Sequence, residues 1–368
     1  MKTFALLCAA ATMVALCASC NSQVTAKGPK VMNPDPSILS GVRSILFYGD
    51  SLTDGSSYPD YVINTLNAKY PEAKLELENS AKCGDKVADL LARFDTDVTP
   101  KKPDLVVIGI GTNDVWRKNQ VENFRRDYIT LIDRVRALPA KPVLLRPSCI
   151  GDPKMDAEFK AFLTVIDELG AEKKCPVIDV YGYFTDWKKA GKEVLGPDNI
   201  HHGPDGFECM ARAVLAGLGA ADAEPILRPA IRPGAITRWD ISDPADADAP
   251  LTAAANWKPL DYGALITALP WYDKPFAERG AAMPAGKLEA KKIVFARATV
   301  TSPAARQAVM ELGGSVPMRV WLNGTEVWSQ TAAHGYHANA DRVTVELKAG
   351  ENQVVVSTSM MAFIGIRP

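Results

Sequence analysis

Apolar residues along the chain follow two rhythms, and the change between them falls near residue 220. From residue 43 to about 220, short β-branched runs alternate with longer stretches whose apolar positions recur every three or four residues. The runs SILFYG (44–49), KLELEN (74–79), DLVVIGIG (104–111), PVLLRPS (142–148) and PVIDV (176–180) predict five strands. Between them, YPDYVINTLNAKY (58–70), DKVADLLARF (85–94), VENFRRDYITLIDRVRAL (121–138) and MDAEFKAFLTVIDELG (155–170) predict helices, and PDGFECMARAVLAGLG (204–219) predicts a last one. In the third of these, Phe124, Tyr128, Leu131, Ile132 and Val135 share one face. Strand-helix alternation implies an α/β domain over residues 41–222, a parallel sheet covered on both sides.

Beyond residue 220 the helical rhythm stops. AADAEPILRPAIRPG (220–234) contains the expected linker, residues 223–234. The remainder, 235–368, reads as strands and turns and predicts a β-sandwich. RVWLNGTEVWS (319–329) is a hairpin around Asn323-Gly324. DRVTVELKAGENQVVVSTS (341–359) gives two alternating strands around Gly350. A regular two-residue loop pairs Leu322 with Thr325, Trp321 with Glu326, Val320 with Val327, and Arg319 with Trp328. Val320, Leu322, Thr325 and Val327 then face the core. Trp321 and Trp328 fall on the polar face with Arg319 and Glu326, either to stack on a sugar or, the favoured reading, to pack against the first domain.

Composition narrows the partners. A net charge of −1 with no basic block excludes nucleic acid and an anionic membrane surface as main partners. The first twenty residues, MKTFALLCAAATMVALCASC, join one lysine to an apolar stretch too short to span a bilayer comfortably. They resemble a bacterial lipoprotein signal cleaved before Cys20, which would carry the lipid; ordinary secretory cleavage nearby is the alternative. Both predict export to the periplasm or cell surface, with membrane contact only through that anchor. Residues 21–40 are then a tether. Of the other cysteines, Cys149 follows one predicted strand and Cys175 precedes the next, at opposite ends of a parallel sheet. Cys83, Cys149, Cys175 and Cys209 are therefore expected as free, mostly buried thiols.

In parallel sheets ligands bind beyond the carboxyl ends of the strands. Just past the first strand stands Ser51. Past the second, NSAKCGDK (79–86) contains Gly84; past the third, GTND (111–114) contains Asn113; after the fifth, GPDNIHHGPDG (196–206) contains Asp198 and His201. Serine acyl transfer needs a hydroxyl, a base, an acid that orients the base, and donors for the developing oxyanion. Ser51 is the hydroxyl. With four histidines in the chain, His201 and its neighbour His202 are the sensible bases. Asp198, three residues earlier, can be presented with His201 by one turn of chain. Asn113 offers a side-chain amide, and Ser51 and Gly84 offer backbone N–H groups. Each residue also has an ordinary structural role, such as a helix cap for Ser51 or a strand end for Gly84. It is their convergence on one rim that carries the chemistry.

GDSLTDG, NSAKCGD, GTND and DNIHHGPDG resemble, in order, the four sequence blocks of the SGNH (GDSL-type) hydrolases, over residues 43 to about 220. The resemblance implies a flavodoxin-like domain with a five-stranded parallel sheet and serine esterase activity. It makes Ser51 the nucleophile, Asp198 and His201 its partners, and Ser51, Gly84 and Asn113 the oxyanion hole. VWLNGTEVW and VELKAGENQVVVS resemble the galactose-binding-like, jelly-roll-like β-sandwiches attached to many carbohydrate-active enzymes. Trp116, just after GTND, is either a substrate neighbour or a packing residue, and Asp114 is expected to hold the loop or cap its helix. Asp243, Asp246 and Asp248 lack the glycine and distal glutamate of a calcium loop, so they read as a solvated loop. No motif points to a cofactor or metal. The sequence thus predicts an exported serine esterase acting on a small ester, foremost the acetyl groups of a carbohydrate. The alternatives are a lipolytic or thioester hydrolase, disfavoured by the lack of a long apolar lid, and a carbohydrate-binding lipoprotein with an inactive hydrolase domain.

Overall fold

A computed structural model describes residues 30–262, 279–285, 288–314, 317–330 and 340–367. The expected signal segment and the first part of the tether lie outside the described residues. The first region runs β1 (Val31–Met32), β2 (Ser44–Gly49), α1 (Ser51–Asp54), α2 (Tyr58–Lys69), β3 (Glu76–Asn79), α3 (Val87–Ala92), α4 (Phe94–Asp97), β4 (Leu105–Gly109), α5 (Thr112–Trp116), α6 (Val121–Ala137), β5 (Lys141–Arg146), α7 (Pro153–Glu172), β6 (Val177–Asp179), α8 (Val180–Lys189) and α9 (Gly206–Gly217). Strands β2 to β6 are parallel, in the order β3-β2-β4-β5-β6.

Side chains alternate along each strand, as a sheet buried on both faces requires. Ile45, Phe47, Leu105, Val107, Val143 and Leu145 pack with α2, α8 and α9. Leu46, Tyr48, Val106, Ile108 and Leu144 pack with α3, α6 and α7. From β2 the chain turns toward one edge to make β3, then returns to β4 and proceeds toward the other edge. The order therefore reverses between β2 and β4, and a crevice opens beyond their carboxyl ends.

Two features of this region differ from expectation. The sheet has a sixth strand: β1 lies antiparallel on β6, with Val31 opposite Ile178 and Met32 opposite Val177. Part of the expected tether is thus held on the domain. Lys141 Nζ donates to the carbonyls of Ser37, Ile38 and Ser40, and Ile38 is buried. A two-residue edge strand is too short to show any periodicity. Helix α8 is the second difference. It starts directly at the end of β6, where the Asp179 side chain accepts from Gly182 N at 2.9 Å and caps it. Its aromatic-rich sequence has modest helix propensity, and tertiary packing of Tyr183 and Phe184 decides its form.

The second region is β-rich: β7 (Asp240–Ile241), β8 (Ala245–Asp246), β9 (Lys258–Pro259), β10 (Lys292–Ser302), β11 (Arg306–Gly314), β12 (Met318–Leu322), β13 (Thr325–Gln330), β14 (Asp341–Leu347), β15 (Gly350–Thr358) and β16 (Ala362–Arg367). One antiparallel sheet has the order β13-β12-β15-β10-β7-β9, with β8 also on β10; a second has the order β14-β11-β16. A single core draws on both, including Val294, Val320 and Val356 from the first and Met310, Leu312 and Ile364 from the second.

The hairpin corrects the expected register. Asn323 (φ +52°) and Gly324 (φ +84°) form the turn, and Leu322 and Trp321 face Thr325 and Glu326. Val320 then lies opposite Trp328, because Val327 is an extra residue in a β-bulge. That one residue sends the two tryptophans to opposite faces. Trp328 is half-buried against the shared core. Trp321 is 5% exposed and packs on Ile293, Phe295 and Val355, with Leu251 and Trp257 also against this cluster. Trp321 therefore neither stands on a solvent face nor packs on the first domain. The sheet's outer face is covered by its own loop.

The linker is firmly docked. Asn64 Nδ2 donates to Arg228 O at 2.8 Å, and Ile226 N donates to Thr65 Oγ1 at 2.9 Å. Arg232 lies between Glu78 of β3 (3.5 Å) and Glu311 of β11 (3.6 Å). Glu311 is buried and is also met by Arg342 and Arg367 at 3.2 and 3.0 Å. A carboxylate this deep needs such partners.

Candidate active site

Strand β2 delivers Ser51 to the crevice. Asp50, in extended conformation, caps α1, its Oδ1 accepting from Leu52 N at 3.0 Å. Ser51 is the first residue of that turn, so its backbone is set by strand and helix together. Gly49 is required just before it: a Cβ there would lie 2.3 Å from the carbonyl oxygen of Gly109, at the end of β4.

The loops after β3 and β4 are tied to this turn and to each other. Lys82 N donates to Gly49 O at 3.0 Å, and Cys83 N to Asp54 Oδ2 at 2.8 Å. Gly84 follows with φ +84°, a left-handed conformation that favours glycine. Asn113 Nδ2 donates to Asp85 O at 3.1 Å, joining the Asn113 turn to the residue after Gly84. Asp114 accepts from Val87 N at 3.2 Å and from Asn119 Nδ2 at 2.8 Å, so it holds the loops as expected.

The last loop brings the base. Asn199 has φ +60°, and its carbonyl accepts from Gly151 N at 2.7 Å. Gly196 N donates to His201 O at 2.7 Å, closing a tight turn. Within it, Asp198 Oδ1 accepts from the backbone N–H of Ile200 and His201 at 3.1 and 3.0 Å. Asp198 Oδ2 lies 2.5 Å from His201 Nδ1, and His201 Nε2 lies 2.9 Å from Ser51 Oγ, across 150 positions of sequence. The result is a hydroxyl–imidazole–carboxylate chain, half-buried at the rim.

Electrostatics suit this chain. Burial pushes the Asp198 carboxyl up, but the hydrogen bonds from His201 and from the backbone N–H groups outweigh it, and its pKa is lowered. Asp198 stays a carboxylate and holds Nδ1–H, which leaves Nε2 facing the Ser51 hydroxyl as an acceptor. His202 is in a different setting. Its ring lies 5.2 Å from Phe184 and 5.7 Å from Phe207, and burial drives its pKa down to about 3. Geometry separates the two candidate bases: His201 faces Ser51, and His202 belongs to the core.

Some neighbours were not visible as site residues in the sequence. Asp50 is fully buried, and burial raises its carboxyl to about 7, partly offset by the N–H of Leu52. Arg117 brings a guanidinium nitrogen to 3.2 Å from where a Gly84 Cβ would stand. Arg279, far along the chain, reaches the segment after the Ser51 turn, donating to Asp60 Oδ2 in the first turn of α2 at 2.5 Å and to Ser56 O in the preceding loop at 2.9 Å. The contacts of Arg117 and Arg279 have no local sequence signal, because they depend on how distant segments pack; Asp50 caps its own turn locally, and only its burial is set by distant segments. Trp116 is 58% exposed, the most exposed large apolar side chain among the described residues, which sets aside the packing reading.

Comparison with known proteins places this arrangement in a family. The chain belongs to the GDSL-like lipase/acylhydrolase family, whose model matches residues 47–209. It is an esterase acting on carboxylic ester bonds. Over 210 residues, 48% of this chain and 94% of the relative, it is 30% identical to the acetylxylan esterase of Geobacillus stearothermophilus. It is 32% identical over 123 residues to the uncharacterized lipoprotein YqeF of Bacillus subtilis (strain 168), covering 30% of this chain and 49% of that one. Among solved structures, Axe2, an acetylxylan esterase from Geobacillus stearothermophilus, is 28% identical with a TM-score of 0.46, covering 50% of this chain and 96% of that one. LAE5, an α/β hydrolase enzyme from the metagenome of Lake Arreo, Spain, is 28% identical with a TM-score of 0.45, covering 49% and 96%.

Proposed function

We propose that this protein is an exported serine esterase that removes acetyl groups from a carbohydrate. The observation that carries the mechanism is the 2.9 Å approach of His201 Nε2 to Ser51 Oγ, with Asp198 on the other ring nitrogen. Ser51 Oγ attacks the acyl carbonyl carbon while its proton passes to His201 Nε2. The oxyanion is met by the backbone N–H of Ser51 and Gly84 and by Asn113 Nδ2. As the tetrahedral intermediate collapses, His201 returns the proton to the departing sugar oxygen, leaving acetyl on Ser51. Water, deprotonated by His201, then attacks the acyl-enzyme and releases acetate, restoring the Ser51 hydroxyl. Asp198 keeps the imidazole in one tautomer throughout and stabilises its cation.

The carbohydrate substrate rests on the similarity to an acetylxylan esterase across nearly the whole of that enzyme. Export and a lipid on Cys20 rest on the amino-terminal sequence, and similarity to a lipoprotein supports them. The β-rich region, read as a galactose-binding-like sandwich, serves here as a structural partner of the hydrolase domain, since Arg232 and Arg279 bridge the two. The test is acetate release from a panel of acetylated polysaccharides beside aryl esters of increasing chain length. Acetate from at least one glycan is expected, with kcat/KM falling steeply beyond about four acyl carbons, because overfilling a packed pocket costs ~1–3 kcal/mol. Faster hydrolysis of octanoyl than acetyl esters, with no acetate from any glycan, would replace this reading with the lipolytic one.

A further inference from the structure

We propose that the cavity between α5 and α7, beside Asp198, is a subsite for an uncharged sugar ring of the leaving group, with Trp116 as its stacking platform. This inference rests on the carbohydrate esterase reading. The cavity measures about 600 Å³, and Trp116, Met155, Ile200 and Asp198 are among its lining residues. It adjoins the hydroxyl–imidazole–carboxylate chain through Asp198, a member of that chain, and Ile200, the residue immediately before His201.

Trp116 is the feature that needs a reason. It ends α5, three residues after Asn113, and leaves 58% of its surface in water. An exposed tryptophan beside a catalytic loop forgoes a large burial gain unless something covers it. Its neighbour Arg117 brings a guanidinium nitrogen close to Gly84, on the loop after β3.

The rest of the lining selects the ligand. Lys118 and Glu158 form an ion pair at 2.6 Å on the cavity wall, and Lys154 and Asp152 also line it. Asp152 is anchored by capping α7, its Oδ1 accepting from Met155 N at 2.8 Å. An acyl chain placed here would strip water from these charged groups and return no hydrogen bonds. An anionic ligand would meet three carboxylates, Asp152, Glu158 and Asp198. A sugar ring suits both parts of the wall. Its C–H face covers the indole, and its hydroxyls donate to the carboxylates and accept from the lysines. Small-ligand sites commonly have this size and this mix of an aromatic surface with a few fixed polar groups.

The test compares Trp116→Ala and Trp116→Tyr with the wild type on an acetylated xylooligosaccharide and on 4-nitrophenyl acetate. Trp116→Ala is expected to lose at least about tenfold in kcat/KM on the oligosaccharide, mainly through KM, and no more than about threefold on the aryl ester, with Trp116→Tyr recovering most of the loss. As a binding readout, deacetylated xylooligosaccharide should quench the fluorescence of the Ser51→Ala protein more than that of Ser51→Ala/Trp116→Tyr. Equal losses on the two substrates, or none on either, with the wild type still releasing acetate from the oligosaccharide, would overturn the subsite and leave the carbohydrate reading standing. If the wild type hydrolyses only the aryl ester, the carbohydrate reading falls and takes the subsite with it.

Discussion

The rim of the parallel sheet and the hairpin of the β-rich region were both marked by distinctive residues, yet only the rim placed its residues as expected. At the rim, Ser51, Gly84 and Asn113 each stand past a strand whose direction is fixed by a crossover helix, whereas Asp198 and His201 come back to the rim on the loop between α8 and α9. Any residue just past such a strand must emerge on the same side of the sheet. An error of a residue or two at a strand end leaves that conclusion intact, and several strands here are one or two residues shorter than their apolar runs suggest. In the hairpin, side-chain direction depends on register with a period of two, so one extra residue reverses it. Val327 is that residue, and it separates Trp321 from Trp328. Chemistry assigned by topology tolerates small errors; chemistry assigned by strand face does not.

Substitutions at the two places should have opposite signatures. Ser51→Ala should lower kcat by roughly 10⁴–10⁶, the scale seen when a serine nucleophile is removed. Its melting temperature should stay near that of the wild type, because the Ser51 turn is capped by Asp50. Ester hydrolysis and thermal melting on the same preparation check both halves. Most of the activity surviving in a folded Ser51→Ala protein would refute the mechanism.

Trp321→Ala should do the reverse. Removing a nearly buried tryptophan from its cluster should destabilise the protein by about 3–5 kcal/mol, measured by urea denaturation, while kcat per folded molecule stays close to the wild-type value. If Trp321→Ala instead kept its stability and lost activity on acetylated glycans alone, the hairpin would be a sugar site and the contrast would disappear.

The smallest effect sharpens the division inside the rim loop itself. His202 is held neutral by burial, with its pKa down at about 3 against an ordinary value of 6.5. Below pH 6.5 the unfolded chain gains a proton there that the folded chain refuses, so stability drops as the pH falls through this window. His202→Leu should therefore show a shallower decline in melting temperature between pH 6.5 and 4.5. Asp198, whose pKa is lowered, contributes stability that is lost only under more acid conditions, below the ordinary carboxylate range. Burial also raises Asp50 and Asp114, which acts in the opposite direction but equally in both proteins. Identical melting profiles for the two proteins would mean that His202 takes up a proton in the folded state.

By itself the sequence determined the alternation of strands and helices, the side of the sheet on which the polar turns emerge, and the Asp198–His201 spacing that one loop can close. These are local or topological properties, set by periodicity, turn chemistry and chain direction. The Asp198–His201 spacing already favoured His201 over His202, and the tertiary structure adds the physical difference between them: His201 Nε2 lies beside Ser51 Oγ while His202 is buried. The tertiary structure alone decided that residues 31 and 32 join the sheet, that Val327 bulges, that Arg279 reaches Asp60 from 219 positions away, and that Trp116 is left open beside Asp198. Each of those depends on which distant segment covers a surface, and coverage is settled by packing the whole chain at once.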